Sequence, residues 1–491
     1  MSSLTVSRSL GRAAKEMLLY GFALLLIKGG SLLTLPFTAH YLSITQIGQL
    51  ELLATTTVLF ALIASLAMHE NLYRFVATIE QDDERQYAAN ALYISAILMA
   101  FLVILSLSLL LLFYQWAFNV SVFEHYFTPL QRLLIVASIL LESALAISLA
   151  WLRLQGRAEL FFKLSLVSVV TQVSLIIWIV HYYPTVTAVF SAGVFTALLQ
   201  CILLHIQHRF QIRWLSFRQL KHYLRYCLPI VGSSLVAFGL NGGERWIVAE
   251  SAGLDMLGQY AIALKFALAV GILLQPFHMW WMPKRFECWK DKGPQQTAKN
   301  SQGGMVYACI ISLSVAWLAK WFVTLYLPAE YHLAASLVAL CCTAMLFKEF
   351  VEIVNIGLLK QKKTQALLLI NLVVTSLTLM VLLTAILVFN WHSIWFIIST
   401  ICVAQIVRFF WVWGLSQKIA VLPYQTASLC FLIGLNSLFL ISTFADIAPS
   451  LMVLFAVIQP VFLLFIAERL QLLTLPIHEL RGAIDQWRAG K

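Results

Sequence analysis

Residues 241–286 read NGGERWIVAESAGLDMLGQYAIALKFALAVGILLQPFHMWWMPKRF. Two helix-length apolar runs here carry Gly242-Gly243, Glu244-Arg245 and Lys265 at depths where a bilayer excludes charge, so these residues need a reason to be present. A weaker copy lies about 210 residues earlier: Lys28-Gly29-Gly30, then Ile47-Gly48-Gln49 against Leu257-Gly258-Gln259, then Arg74-Phe75 near Arg285-Phe286. The Gly-Gln pairs match at an offset of 210 and the glycine pairs at 213, a slip of nearly one helical turn. The two halves are related without being superimposable in detail.

Composition decides the class. With 61% hydrophobic and 11% charged residues over 491 positions, the chain is no soluble globule, whose charged share is about 25%. It reads as an all-α polytopic membrane protein. The net charge of +11 does not argue for nucleic acid, because no basic run is long enough to track a phosphate backbone. Eight cysteines sit mostly inside apolar runs, without a CxxC pair or metal-like His spacing, and read as small core residues. No metal and no other cofactor is expected. The basic N-terminus precedes an apolar run with no small-residue cleavage signature, so no removable signal peptide is expected either.

Crossing the hydrocarbon core takes about 20 apolar residues. Fourteen such runs can be marked, near 17–40, 46–68, 89–114, 128–150, 161–182, 186–206, 224–250, 256–281, 304–327, 333–358, 366–389, 393–414, 425–445 and 448–467. Alternate connections, counted from the N-terminus and taking Lys163 and Arg225 at the soft edges of their runs as connection residues, hold 26 of the 33 Lys and Arg residues, and the opposite ones hold none. Cytoplasmic loops concentrate Lys and Arg, so this alternation predicts an even number of spans with both termini cytoplasmic. The other seven cations, Lys28, Arg132, Arg245, Lys265, Lys320, Lys348 and Arg408, fall inside spans and form the functional shortlist.

The repeat adds geometry. Six spans per half, both beginning on the cytoplasmic side, predict two parallel six-helix bundles around a central cavity. They take residues 1–206 and 207–414, with two additional helices and a cytoplasmic tail in 415–491. Short outer connections leave no room for an extracytoplasmic catalytic domain, and no GxxxxGK[ST] loop is present. An enzyme is therefore not expected.

The stretch KGGSLLTLPFTAHYLSITQIGQLELL at 28–53, Arg74-Phe75, the run LPIVGSSLVAFGLNGGERWIVAESAGLDMLGQYAIALKF at 228–266 and Trp281-Met282-Pro283 resemble the bacterial polysaccharide-transport or oligosaccharide flippase family. That family belongs to the superfamily of multidrug, oligosaccharidyl-lipid and polysaccharide exporters. The resemblance covers twelve spans. It implies a protein of the bacterial cytoplasmic membrane that moves a polyprenyl-diphosphate-linked oligosaccharide, a polysaccharide or O-antigen repeat unit, by alternating access through a cationic lumen. Other polysaccharide assembly proteins are conceivable partners; nucleic acid is not. Two departures stand out: Glu244-Arg245 where Asp-Arg is expected, and Ala39-His40-Tyr41 where an Arg before Tyr is common.

The chemistry makes independent sense of the residues. A diphosphate with an isoprenoid tail needs fixed cations facing an aqueous lumen. Lys28, Arg245 and Lys265 are the candidates for it, with Arg74 at the cytoplasmic entrance, Gly29, Gly30, Gly242 and Gly243 as candidate hinges, and Glu51, Glu142 and Glu349 as candidates for proton coupling. Each has a plainer alternative. Arg245 could pair with Glu244 or Glu250, Lys348 with Glu352 at i, i+4, and the glycines could serve only close packing. Arg74 could simply mark a cytoplasmic loop, and Lys320, Arg132 and Arg408 are expected to snorkel from span ends. Trp280-Trp281 and Trp411-Trp413 read as interfacial belts. The rival function is a cation-coupled drug exporter, which should carry a carboxylate in its first span; here no acid lies between Glu16 and Glu51.

Overall fold

The computed structural model describes residues 2–119 and 124–473, with side chains from residue 19 onward. The basic tail residues Arg481, Arg488 and Lys491 lie outside the described residues, as do the side chains of Arg8, Arg12 and Lys15. The elements in chain order are α1 (Ser2–Tyr41), α2 (Ile44–Ala64), α3 (Asp82–Phe118), α4 (Pro129–Leu154), α5 (Ala158–Tyr182), α6 (Val186–His208), α7 (Phe217–Gly239) and α8 (Glu244–Ala252). They continue with α9 (Leu254–Tyr326), α10 (His332–Val354), α11 (Ile356–Lys360), α12 (Thr364–Leu387), α13 (Ile394–Ile419), α14 (Thr426–Ser442) and α15 (Pro449–Arg469). No strand occurs among the described residues.

Each of the fourteen apolar runs falls on a helix of this series. Eleven helices among the described residues are long and apolar enough to cross a membrane. One of them, α9, carries two of the runs. As one rod its 73 residues would reach about 110 Å against a hydrocarbon core of about 30 Å. The chain turns at Gly293, whose φ of 83° is the left-handed region open to glycine, and Pro294 follows. The runs at 224–250 and 333–358 depart from expectation by each covering two helices, α7 with α8 and α10 with α11; in the first, regular α-helical hydrogen bonding lapses between Gly239 and Glu244, where the N–H groups of Asn241 and Gly243 both donate to the Phe238 carbonyl.

Helix starts follow from local chemistry. Ser43 with Gln46, Thr128 with Gln131 and Ser216 with Gln219 each form a reciprocal capping box, satisfying donors that have no intrahelical partner. The outer faces stay apolar: Leu109, Leu110, Leu112 and Phe113 of α3 are all exposed, as lipid contact requires. Trp280 and Trp411 are exposed whereas Trp281 and Trp413 are buried, so only one ring of each expected belt reaches the surface.

By contact the chain forms two compact units, Met1–Lys265 with Tyr326–Leu333 and Asn371–Ile401, and Phe266–Leu325 with Ala334–Ile370 and Cys402–Lys491. In the first, α1 packs on α5, and α4 lies against α2, α3 and α6. Met68, Leu72, Leu92, Trp151 and Phe210 form part of its buried core. In the second, α14 packs on α15 and Trp317 donates its indole N–H to Gln459 at 2.7 Å.

Within the first unit the two Gly-Gln motifs touch each other. A Cβ on Gly48 would overlap the Leu254 carbonyl, and one on Gly258 would overlap the Ile44 carbonyl. Only glycine permits that approach. Thr45 donates to Asp255 across the same seam. Gln49 then donates to the Tyr126 carbonyl at 2.9 Å, and Gln259 donates to the Glu330 carbonyl. The repeated Gln thus ties the start of each helix to a loop further along its own half.

Candidate functional site

The first unit encloses a cavity of about 670 Å³ walled by α1, α2, α4, α5 and α6, with Lys265 of α9 reaching into it. Its shape follows from helical periodicity. On α1 the lining residues Ile27, Gly30, Ser31, Thr34 and Thr38 recur every three or four positions, one face of a 3.6-residue helix. On α2 the stripe runs from Leu50 and Glu51 through Thr57 and Ala61 to Ser65, a rise of about 22 Å. Hydroxyls recur along both stripes. The wall therefore offers hydrogen-bonding groups inside an otherwise apolar bundle.

The charge sits at one end of that wall. Arg245 Nε lies 2.8 Å from Glu51 Oε1, with the two side chains 13% and 17% exposed. The N–H does not align with the carboxylate, so this is a charge contact more than a directed hydrogen bond. Arg245 also donates to the Asn241 carbonyl at 3.5 Å. Lys265 lies within Coulombic reach of both Glu51 and Arg245. Two cations from residues 241–286 thus share a cavity-lining carboxylate of α2. Glu142 of α4 faces the same cavity, and His69 closes its far end beside Glu70, at 3.4 Å. Burial lowers the His69 pKa against the opposing pull of Glu70.

Sequence reasoning offered Glu244 or Glu250 as partners for Arg245; the structure sets Glu51 in ion-pair contact with it and keeps Glu244 within Coulombic reach. Glu244 is buried and accepts from the Tyr260 hydroxyl at 3.3 Å. Glu250 contacts the Tyr126 hydroxyl, which burial and that carboxylate push up to about 12. Arg245, Lys265 and Glu51 come together, and Glu142 lines the same cavity; Lys28 and Arg74 do not join them. Lys28 is exposed, one position past Ile27 and so about 100° round α1 from the lining stripe. Arg74 is exposed on a π-helical turn, Leu72–Val76, whose Phe75 stacks on Tyr223 with centroids 5.1 Å apart. Gly29 and Gly30 lie inside unbroken α1, whereas Gly242 and Gly243 occupy the break between α7 and α8.

The second unit holds a pair that the sequence reading half missed. Glu349 of α10 lies 3.0 Å from His278 of α9, both side chains largely buried, and a Cβ on Gly271 would come within 3.0 Å of the same carboxylate. Two expectations of snorkelling are corrected here. Lys320 is 6% exposed and donates to the carbonyls of Thr443 and Ala445, both at 2.7 Å, where α14 ends with unpaired acceptors. Arg408 is 8% exposed and donates to Gln405 at 3.3 Å. Glu352 lies within Coulombic reach of Arg285 and Arg408. Arg132, by contrast, keeps 40% of its side chain exposed near Glu124. No group of three or more His, Cys, Asp or Glu residues among those described could hold a metal ion. The eight cysteines are free, and six of them are buried.

Residues 53–283, slightly under half the chain, match the family model described as polysaccharide biosynthesis protein. That stretch contains Arg74, Arg245 and Lys265. No curated protein matches the chain significantly in sequence. Among solved structures it is similar to a lipid II flippase, MurJ, in an inward closed conformation, with a TM-score of 0.67 at 13% identity over 93% of this chain and 99% of that one. It is also similar to an outward-facing multidrug resistance transporter of the MATE family, in the MOP superfamily, with a TM-score of 0.50 at 12% identity over 82% and 96%. At such identities the likeness speaks to the fold. The chain thus shares the fold of that flippase and that transporter, and the stretch that supplies Arg245 and Lys265 matches the model described as polysaccharide biosynthesis protein.

Proposed function

We propose that the chain is a flippase that carries a polyprenyl-diphosphate-linked oligosaccharide across the bacterial cytoplasmic membrane by alternating access, with both termini cytoplasmic. The observation that carries this reading is the convergence of Arg245 and Lys265 on Glu51 at the wall of a hydroxyl-rich cavity inside a membrane bundle. Charge at that depth is expensive unless it does work, and two fixed cations beside an aqueous cavity suit an anionic cargo. Ser31, Thr34 and Thr38 supply neutral hydrogen-bonding groups of the kind a glycan needs. Deleting the gene should cause one lipid-linked glycan to accumulate on the cytoplasmic face, and mass spectrometry identifies it. Restoration by the wild-type chain but not by Lys265→Ala, at equal protein level, is the expected outcome; full restoration by Lys265→Ala would reject the site.

A second reading has its own support, because Glu51 and Glu142 line the same cavity and could bind a cationic substrate or a coupling proton. A cation-coupled exporter of this fold would extrude cationic dyes from intact cells, with loss on Glu142→Gln and no lipid-linked glycan building up.

A further inference from the structure

A second cavity, of about 280 Å³, lies apart from the one described and opens between α2, α3 and α4. Its floor is apolar. Ile104, Leu107, Leu111 and Leu112 recur along one face of α3, opposite Ile135 and Ile139 of α4. From Gln115 down to Ile104 the groove descends about 16 Å, close to half of a hydrocarbon core of about 30 Å. It is therefore as deep as one leaflet.

The mouth is polar, and its charges balance. Gln115 donates to Glu124 at 3.3 Å, and Glu124 faces Arg132 at 3.7 Å. That spacing is too long for a hydrogen bond, so the two opposite charges stand side by side with 40% and 49% of their side chains exposed. A purely anionic head would meet Glu124 repulsively. A head with a phosphate and an ammonium a few ångströms apart meets both charges favourably.

We propose that this groove is a lipid site that seats one acyl chain of an amine-bearing zwitterionic phospholipid, its phosphate on Arg132 and its ammonium on Glu124. The apolar floor takes the chain because Ile104, Leu107, Leu111, Leu112, Ile135 and Ile139 dominate a surface in which Thr56 and Ser108 bring only two hydroxyls. The mouth selects the head by charge sign. The lipid comes from the leaflet on the side where α3 ends and α4 begins, and it acts on the wall of the bundle, separate from Arg245 and Lys265.

The test uses the full chain purified in detergent, with phosphatidylethanolamine and phosphatidylglycerol as competing probes read by native mass spectrometry. Wild type should retain one phosphatidylethanolamine per chain at least about fivefold over phosphatidylglycerol, a difference of about 1 kcal/mol. Glu124→Lys should reverse that preference, and Val136→Trp, which fills the groove, should abolish retention of either lipid. Should the tryptophan variant elute as an aggregate, a photo-crosslinking residue at exposed Leu112 in the otherwise native chain should label phosphatidylethanolamine selectively. Equal retention of both lipids by wild type and Glu124→Lys overturns the proposal as mere annular contact. Preferential labelling from Leu112 by undecaprenyl phosphate overturns it in favour of the isoprenoid chain.

Discussion

Replacing Glu51 by Gln leaves Arg245 and Lys265 facing each other without the carboxylate that now lies between their charges, at 2.8 Å from Arg245 Nε. Removing one partner of a fully buried pair costs about 3–5 kcal/mol, and an exposed pair is worth about 0.2–1 kcal/mol. With side chains 13% and 17% exposed on a cavity wall, the pair falls between these limits, and Glu51→Gln should destabilise by about 2 kcal/mol. Part of that loss is repulsion between the two cations. Adding Lys265→Met to Glu51→Gln should therefore recover stability, although it removes a second native charge. Arg245→Gln combined with Glu51→Gln should show a coupling energy of about 1–2 kcal/mol. Denaturant titration of the purified protein in mixed micelles reads wild type, the two single changes and the two double changes, and transport is scored separately. Single changes at Glu51 and Arg245 that add within about 0.5 kcal/mol would refute the triad, as would a Glu51→Gln, Lys265→Met form no more stable than Glu51→Gln alone.

Arg245→Lys should fold yet move substrate poorly, since an ammonium cannot offer the planar fork that a diphosphate accepts; near-normal export would leave Arg245 a plain counter-ion of Glu51. Gly48→Ala or Gly258→Ala should destabilise by about 1–3 kcal/mol because the new methyl meets backbone across the seam, whereas Gly29→Ala, which meets nothing within 4 Å, should be neutral or stabilise α1 by up to about 1 kcal/mol. Lys320→Met should loosen the end of α14 and raise the hydrogen exchange of residues 436–445, while Arg132→Ala leaves that exchange unchanged. A cysteine placed between Gln295 and Gln302 should resist an impermeant maleimide in intact cells and one replacing Thr185 should react; the reverse pattern would invert the topology.

The helices were legible in the chain because a bilayer asks for long apolar runs, and the runs from 17–40 to 448–467 all fall on helices, though two share α9 and those at 224–250 and 333–358 each cover a pair. The repeated Gly-Gln motif was legible as a repeat, yet not as a contact: sequence spacing reports neighbours at i+3 and i+4 on one helix, and the meeting of Gly48 with Leu254 and Gly258 depends on tertiary packing. Arg245 shows the same boundary. Its adjacent acid Glu244 points about 100° away along α8 and stays only within Coulombic reach, whereas the carboxylate at 2.8 Å comes from another helix, and nothing in the order of residues names Glu51. His278 escaped notice for a related reason, being a lone imidazole in an apolar run until α10 brings Glu349 beside it. The snorkelling expected of Lys320 assumed that water is the available partner near a span end. Where a neighbouring helix ends at the same depth, its unpaired carbonyls compete for the ammonium, and Thr443 and Ala445 hold it.

The same competition bears on the cavity. Every intramembrane cation whose surroundings are described in the first unit, apart from exposed Lys28, already has an acid within reach: Arg132 has Glu124, and Arg245 and Lys265 share Glu51. The anionic cargo proposed for this cavity would therefore not arrive at bare charges; it would take the place of a carboxylate or sit beside one. For Arg245 and Lys265 the arithmetic favours sharing, since two cations carry one more charge than Glu51 can neutralise, and a diphosphate that keeps Glu51 in place still finds net attraction at close range. Removing the charge of Glu51 by substitution would deepen that attraction. Glu51→Gln should thus bind the lipid-linked cargo more tightly but release it more slowly, a lower KM with a lower turnover. If Glu51→Gln instead raises KM with turnover unchanged, the carboxylate holds the cargo directly and the cations serve only to hold the carboxylate.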